Sequence, residues 1–260
     1  MPPFLVHEDQ GPASSSRVPL VLIHGHPFDR SMWQPQLAAF AAGRRVIAPD
    51  LRGYGASPVT PGRVPLSRHA QDIAGLLDHL GVDTFALAGL SMGGQIVMEC
   101  AGRFGDRIRG LVLADTSAAA ETPDGKRARE AMADRLLAEG MRGYAEEVLE
   151  KMVAPYARPE VKAHVHRMMT ATSPEGAAAA LRGRAERPDY RALLAGTAVP
   201  ALVVVGADDT YTPVPVAEDL HATLPDSALH VVEGAAHLPN LERPEEFNRA
   251  LAAFLARLDG

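Results

Sequence analysis

The chain has 260 residues, a formal net charge of −6 and 47% hydrophobic residues, which suffices for one large domain with a sizeable core. The negative balance and scattered arginines give no electrostatic footing for nucleic acid or an anionic membrane surface as partner. The N-terminus, MPPFLVHEDQG, lacks the basic start and apolar run of a secretory signal, and no apolar run approaches the ~20 residues of a bilayer span, so the expectation is a cytoplasmic protein with no membrane partner.

PLVLIHG, at Pro19 to Gly25, is a short apolar run ending in glycine, as expected of a strand buried on both faces. The segment before it is short, so the first hairpin of a larger sheet is expected to be truncated. SMWQPQLAAFAAG reads as one helix ending at Gly43, and RRVIAPD as the next strand. Ala70, Ile73, Ala74, Leu77 and Leu80 recur at helical spacing, with Ser67 as the expected N-cap and Gly81 as the stop. TFALAGL is a strand, MGGQIVMECAGRFG a helix and IRGLVLAD a strand. Cys100, the one cysteine, falls in that helix, as expected of a buried thiol.

The alternation then stops. From Ala119 to Gly196 the chain reads as helical and rich in Ala, Arg, Glu and Met, with helix starts at Thr122-Pro123 and Ser173-Pro174. VPALVVVGADD resumes the strands, followed by a helix near Val214 to Leu224, the strand ALHVVEG and a last helix after Pro244. The expected fold class is therefore α/β: a mostly parallel sheet flanked by helices. Residues 1–118 and 197–260 form the core domain, and residues 119–196 a helical cap inserted into it.

Gly89-Leu90-Ser91-Met92-Gly93 fits the pattern G-x-S-x-G between a strand and a helix. A serine on so tight a turn sits in a strained conformation, and side chains two residues to either side would collide, so glycine is wanted at both places. Such a turn projects the hydroxyl from the sheet's carboxyl edge and sets the Met92 amide at a helix N-terminus, where it can stabilise an oxyanion. Taken alone, the motif leaves a nucleophile and a structural turn both open. A serine hydroxyl needs a base, and the base needs orienting. His237, in VVEGAAHLPNLERP, and Asp208 or Asp209, in VVVGADDTYTP, follow two other strands and so share the same edge. Ser, Asp and His from three loops in that order point to a triad.

With these residues in view, the chain resembles the α/β-hydrolase-fold serine hydrolases over nearly its full length. HGHP resembles that family's oxyanion-hole turn, GLSMGG its nucleophile elbow, DLRGYGAS the loop after its fourth strand, GADDTYTP its acid loop, and GAAHLPNLERPEEF its histidine loop and last helix. The resemblance implies Ser91 as nucleophile, His237 as base and Asp209 as acid, because the family spacing G-x-x-D-x-x-x-P matches Gly206, Asp209 and Pro213. Asp208 is its rival, and Asp115 holds a position where some relatives keep the acid. The backbone amides of His26 and Met92 are implied as the oxyanion hole. VLIHGHPFDRSMW looks most like the 3-oxoadipate enol-lactonase and esterase branch.

The implied function is hydrolysis of a small carboxylic ester or lactone through an acyl-enzyme, with no cofactor. Serine at the elbow argues against the aspartyl-ester chemistry of dehalogenases and epoxide hydrolases. Cofactor-free haloperoxidase or perhydrolase activity, and a slow-turnover receptor-like role, are the alternatives on the same triad. HGH at His24 to His26 and HVH at His164 to His166 lack a further ligand at metal spacing, so no metal is expected. His24, Arg52 and Tyr54 are expected to hold loops. Phe28, Trp33 and Leu238 are candidate pocket residues, with core packing the competing role for Trp33. Met132, Met141, Met152, Met168 and Met169 are expected mostly in the core of the cap. A carboxylate-bearing enol-lactone would need an arginine in the pocket; Arg135, Arg142, Arg167 and Arg184 are the candidates, most of them expected on solvated faces.

Overall fold

A computed structural model describes residues 5–260 of the chain; the part of the N-terminal signal reading that falls on Met1 to Phe4 lies outside the described residues. Seven strands, β1 (His7–Gln10), β2 (Leu20–Ile23), β3 (Val46–Pro49), β4 (Phe85–Leu90), β5 (Ile108–Ala114), β6 (Ala201–Gly206) and β7 (Ser227–Val232), form one sheet in the order β1-β3-β2-β4-β5-β6-β7. β1 runs antiparallel to β3, and every other neighbouring pair is parallel.

The uniformly apolar strands have a direct cause. Successive side chains point to opposite faces of a sheet, and here both faces are covered. Leu20, Leu22, Ala86, Ala88, Val112, Leu202 and Val204 enter one core cluster, while Val21, Ile23, Leu87, Leu111, Leu113, Val203 and Val205 enter the other. The first cluster is closed by α1 (Gln34–Phe40) and α11 (Pro244–Asp259); the second by α2 (Leu66–His79), α3 (Met92–Phe104) and α9 (Val214–Thr223). Cys100 is fully buried on α3.

Between β5 and β6 the chain is helical: α4 (Pro123–Glu139), α5 (Arg142–Met152), α6 (Pro159–Ala171), α7 (Pro174–Arg184) and α8 (Arg191–Ala195). Thr122 and Ser173 cap α4 and α7 by accepting from the amides of Gly125 and Gly176. α7 lies close on the core: the Val64 amide donates to Ala179 O at 2.9 Å, and a Cβ on Gly176 would overlap the Gly53 backbone. The short α10 (Pro239–Glu242) precedes α11.

Two local expectations differ from the structure. The helix expected to run unbroken to Gly43 is a 3₁₀ turn, Arg30–Trp33, followed by α1, which ends at Phe40. Pro35 in the first turn of α1 is the reason, since its ring cannot continue a helix begun upstream. α2 starts at Leu66 behind an extended Pro65, so Ser67 lies inside the helix and caps nothing. Among the described residues the N-terminal region holds one strand, β1, where a hairpin would have two, and its polar HEDQ stands half-exposed at the sheet edge.

Candidate active site

Ser91 joins β4 to α3 at φ 57° and ψ −117°, one of two non-glycine residues with positive φ among the described residues. The neighbouring glycines are required by space. A Cβ on Gly89 would overlap the Gly93 carbonyl, and one on Gly93 would overlap that of Ile23. The Ser91 amide donates to Ala114 O at 2.9 Å, and its carbonyl accepts from the Thr116 hydroxyl at 2.8 Å and the Gln95 amide at 3.2 Å. With the backbone so engaged, the side chain is left facing a cavity of about 370 Å³.

His237 lines the same cavity, from the loop after β7. Its Nδ1 lies 2.8 Å from Oδ2 of Asp209, which follows β6. That carboxylate also accepts from the Thr212 hydroxyl at 2.6 Å and from the amides of Tyr211 and Thr212 at 2.7 and 3.2 Å. Burial raises the Asp209 carboxyl, but His237 and these donors outweigh it and hold the group at about 2. Asp208 is exposed and accepts from the Tyr156 hydroxyl instead. Glu242 fixes the histidine loop from both sides, since its Oε1 accepts from the amides of Ala236 and Leu238 at 2.9 and 3.3 Å. Its Oε2 accepts from the amide of Ala154, beyond α5, at 2.7 Å.

The turn after β2 faces Ser91. His24 Nδ1 donates to Gly25 O at 2.8 Å and its Nε2 accepts from the Leu51 amide at 2.9 Å, which ties two loops together. The His26 amide makes no hydrogen bond among the described residues. The His26 ring meets Tyr54 Oη at 2.8 Å through Nδ1, and its buried Nε2 has no partner among the described residues. Burial, then the charges of Arg184 and Arg129, pulls its pKa well below the usual value, so the ring is neutral. Met92 opens α3, where the first N–H groups have no intrahelical acceptor. Arg52 is bound to Asp72 and Thr60, and holds its loop.

Phe28, Trp33 and Leu238 do not reach the cavity. All three are fully buried in the core cluster closed by α11, and Trp33 packs on Phe247 with ring centroids 6.1 Å apart. Leu238 neighbours His237 in the chain, but its side chain turns inward. The wall facing the core is built instead by residues of the helical block, including Tyr144, Met152 and Leu181, and three arginines: Arg129, Arg184 and Arg187. Met152 is the one methionine of the block on this wall; Met141, Met168 and Met169 are core. Arg142 and Arg167 are exposed, and Arg135 is half-exposed and paired with Glu139 and Glu147.

The arginines dominate the cavity's charge. Arg129 and Arg187 share Glu121. Arg184 is buried, and the partner of its Nε is the neutral Gln95 at 3.1 Å. It has no carboxylate partner among the described residues. Burial, then the charges of Arg129 and Arg187, pulls it down to about 9. Gln95 bore a readable signal, because it stands four residues after Ser91 and so one helical turn above it on the same face. Arg129, Arg187 and Glu121 carried none.

The one close His and acid grouping among the described residues is Asp115, Asp209 and His237, with a ligand atom of each within 4.8 Å of the others. Asp209 and His237 are already hydrogen-bonded to one another there, which suits proton chemistry. The ring nitrogens of His24 are likewise engaged, and His164 turns to Ser31.

Residues 18–244 match the alpha/beta hydrolase fold family. The chain belongs to that family. This α/β hydrolase is 32% identical over 232 residues to 3-oxoadipate enol-lactonase 2 of Acinetobacter baylyi, covering 88% of this chain and 85% of that one. A thermophilic esterase from Thermogutta terrifontis, in a malate-bound structure, superposes with a TM-score of 0.95 at 38% identity, over 98% of this chain and 94% of that one. The enol-lactonase from Burkholderia xenovorans LB400 superposes at 0.89 with 29% identity, over 97% and 96% of the two chains. Its relatives include enol-lactonases and esterases, which with the family match support a hydrolase.

Proposed function

We propose that this α/β hydrolase cleaves a small carboxylic ester or lactone through an acyl-enzyme on Ser91, and that the substrate itself carries a carboxylate. The observation that carries the reading is the cavity shared by Ser91, held at positive φ, and His237, hydrogen-bonded to Asp209 at 2.8 Å. His237 takes the Ser91 proton through Nε2 as the oxygen attacks the carbonyl. The ionised Asp209 holds the Nδ1–H tautomer and stabilises the imidazolium. The amides of His26 and Met92 receive the oxyanion. The alcohol or enolate leaves with the proton from His237, and water activated by the same ring releases the acid. Residues 119–196 serve as a cap over the core domain formed by residues 1–118 and 197–260. The reaction needs no cofactor, and the single cysteine suits a cytoplasmic setting.

Arg184 supports the carboxylate. A buried cation without a counter-charge is costly, and a substrate anion supplies the charge it lacks. The malate-bound esterase and the enol-lactonases among the relatives are consistent with this. A fluorophosphonate probe should label Ser91 in the parent and not in Ser91→Ala. A panel of aryl esters, lactones and monoesters of dicarboxylic acids should give turnover that depends on Ser91. Failure of both labelling and hydrolysis would end the proposal, and peroxide-dependent bromination without hydrolysis would replace it by a haloperoxidase.

A further inference from the structure

The proposed mechanism makes no use of Asp115, although its surroundings are unusual. It follows β5, is 1% exposed, and holds φ 45°, the other positive φ of a non-glycine residue among the described residues. Aspartate is one of the few non-glycine residues that visit that region. Its Oδ1 accepts from the Gly206 amide at 2.9 Å, which fixes the end of β6 three residues before Asp209. Its Oδ2 is sealed from solvent and finds no donor among the described residues. The neighbours within reach are the Asp209 carboxylate and the His237 ring. Around Asp115 stand Asp209 from the loop after β6, His237 from the loop after β7, and Glu242 from α10.

Two buried carboxylates this close cannot both be ionised. The donors decide which one keeps the charge. Asp209 accepts from two amides, a hydroxyl and the imidazole, whereas Asp115 accepts from one amide. A proton on Asp115 Oδ2 turns an acceptor with no donor into a donor that points at a carboxylate. Burial, then the charge of Asp209, holds the Asp115 carboxyl well above the usual carboxylate range, in accord with this.

We propose that Asp115 is kept as the neutral acid and donates its Oδ2–H to the Asp209 carboxylate, as a positioning residue for the Asp209–His237 pair. The inference rests on the hydrolase reading above. The proton stays on Asp115 throughout turnover, so the pair keeps a single negative charge opposite the imidazolium. When Asp209 is removed, the repulsion that keeps Asp115 protonated goes with it. Asp115 then releases its proton to solvent and accepts from His237 Nδ1–H in place of the lost carboxylate.

Four variants test this: Asp115→Asn, Asp115→Ala, Asp209→Ala, and Asp209→Ala combined with Asp115→Asn. Asparagine can accept from the Gly206 amide and donate to Asp209 while staying neutral. Asp115→Asn should therefore keep kcat within about threefold of the parent, with an unchanged acid limb in the pH profile of kcat/KM. Asp115→Ala should lose about tenfold in kcat at unchanged KM, one charge-assisted hydrogen bond's worth. Asp209→Ala should retain at least about tenfold more activity than the double variant, because asparagine cannot ionise. Loss in Asp115→Asn equal to that in Asp115→Ala would show that the charge is needed, and would overturn the proposal. So would a double variant no slower than Asp209→Ala. Thermal unfolding and fluorophosphonate labelling accompany each variant; if Asp115→Ala fails to fold, the asparagine variants still decide. A parent that the probe does not label would refute the hydrolase reading instead.

Discussion

Replacing Arg184 by methionine separates recognition of the substrate's charge from catalysis. Methionine keeps much of the stem and removes the guanidinium. In the free protein that group has Gln95 as its side-chain partner, while Arg129 and Arg187 press on it with like charge. A hydrogen bond between charged groups contributes about 1.5–3 kcal/mol. At about 1.4 kcal/mol per factor of ten, kcat/KM for a carboxylate-bearing ester should fall roughly 10- to 150-fold. For the matching neutral diester it should stay within about twofold, because Arg184 has no part in the proposed proton transfer or oxyanion contacts and its partner Gln95 stands one helical turn beyond Ser91. The assay compares a monomethyl with a dimethyl ester of the same short dicarboxylic acid, in parent and variant. Thermal stability should hold or rise, because a buried charge without a counter-ion has been removed. Equal loss on both esters, or none on either, would refute the assignment of Arg184 to the substrate anion.

Other outcomes follow from single features. Ser91→Gly should abolish labelling yet raise stability by ~1 kcal/mol in urea unfolding, because glycine holds positive φ without strain. Gly89→Ala should cost about 3 kcal/mol by the same measurement, since its Cβ would meet the Gly93 carbonyl, which cannot move aside. Asp209 is held at about 2 against its usual 3.8. The unfolded chain binds the extra proton between those values, so the parent loses stability as pH falls through that window. Asp209→Asn lacks this contribution, so the difference in melting temperature between parent and variant should shrink from pH 5 to pH 2.

What the sequence made legible was whatever local pattern decides. β2 to β6 announce themselves because burial on both faces leaves almost no polar position, and the elbow because Gly89 and Gly93 have no alternative. β1 is unreadable for the converse reason: an edge strand of HEDQ has no apolar face. Asp209 and His237 were legible as strand-end residues, and the structure pairs them by a hydrogen bond. Leu238, Phe28 and Trp33 show the limit. Their apolar character predicts burial but not against what, and proximity to a site residue in the chain says nothing of where a side chain points. Arg184 could not be told from Arg135 or Arg142, because which face of α7 looks inward is settled by its packing on the core at Gly53 and Val64.

Glu242 is a joint shared by two stretches far apart in the chain. One of its oxygens grips the backbone on either side of the catalytic-site histidine; the other grips the stretch that leaves α5. Lifting that stretch to widen the way in would strand a buried carboxylate oxygen and slacken the hold on the imidazole. The two stretches are thus held in one register by a single side chain, and a change at either one is felt at the other.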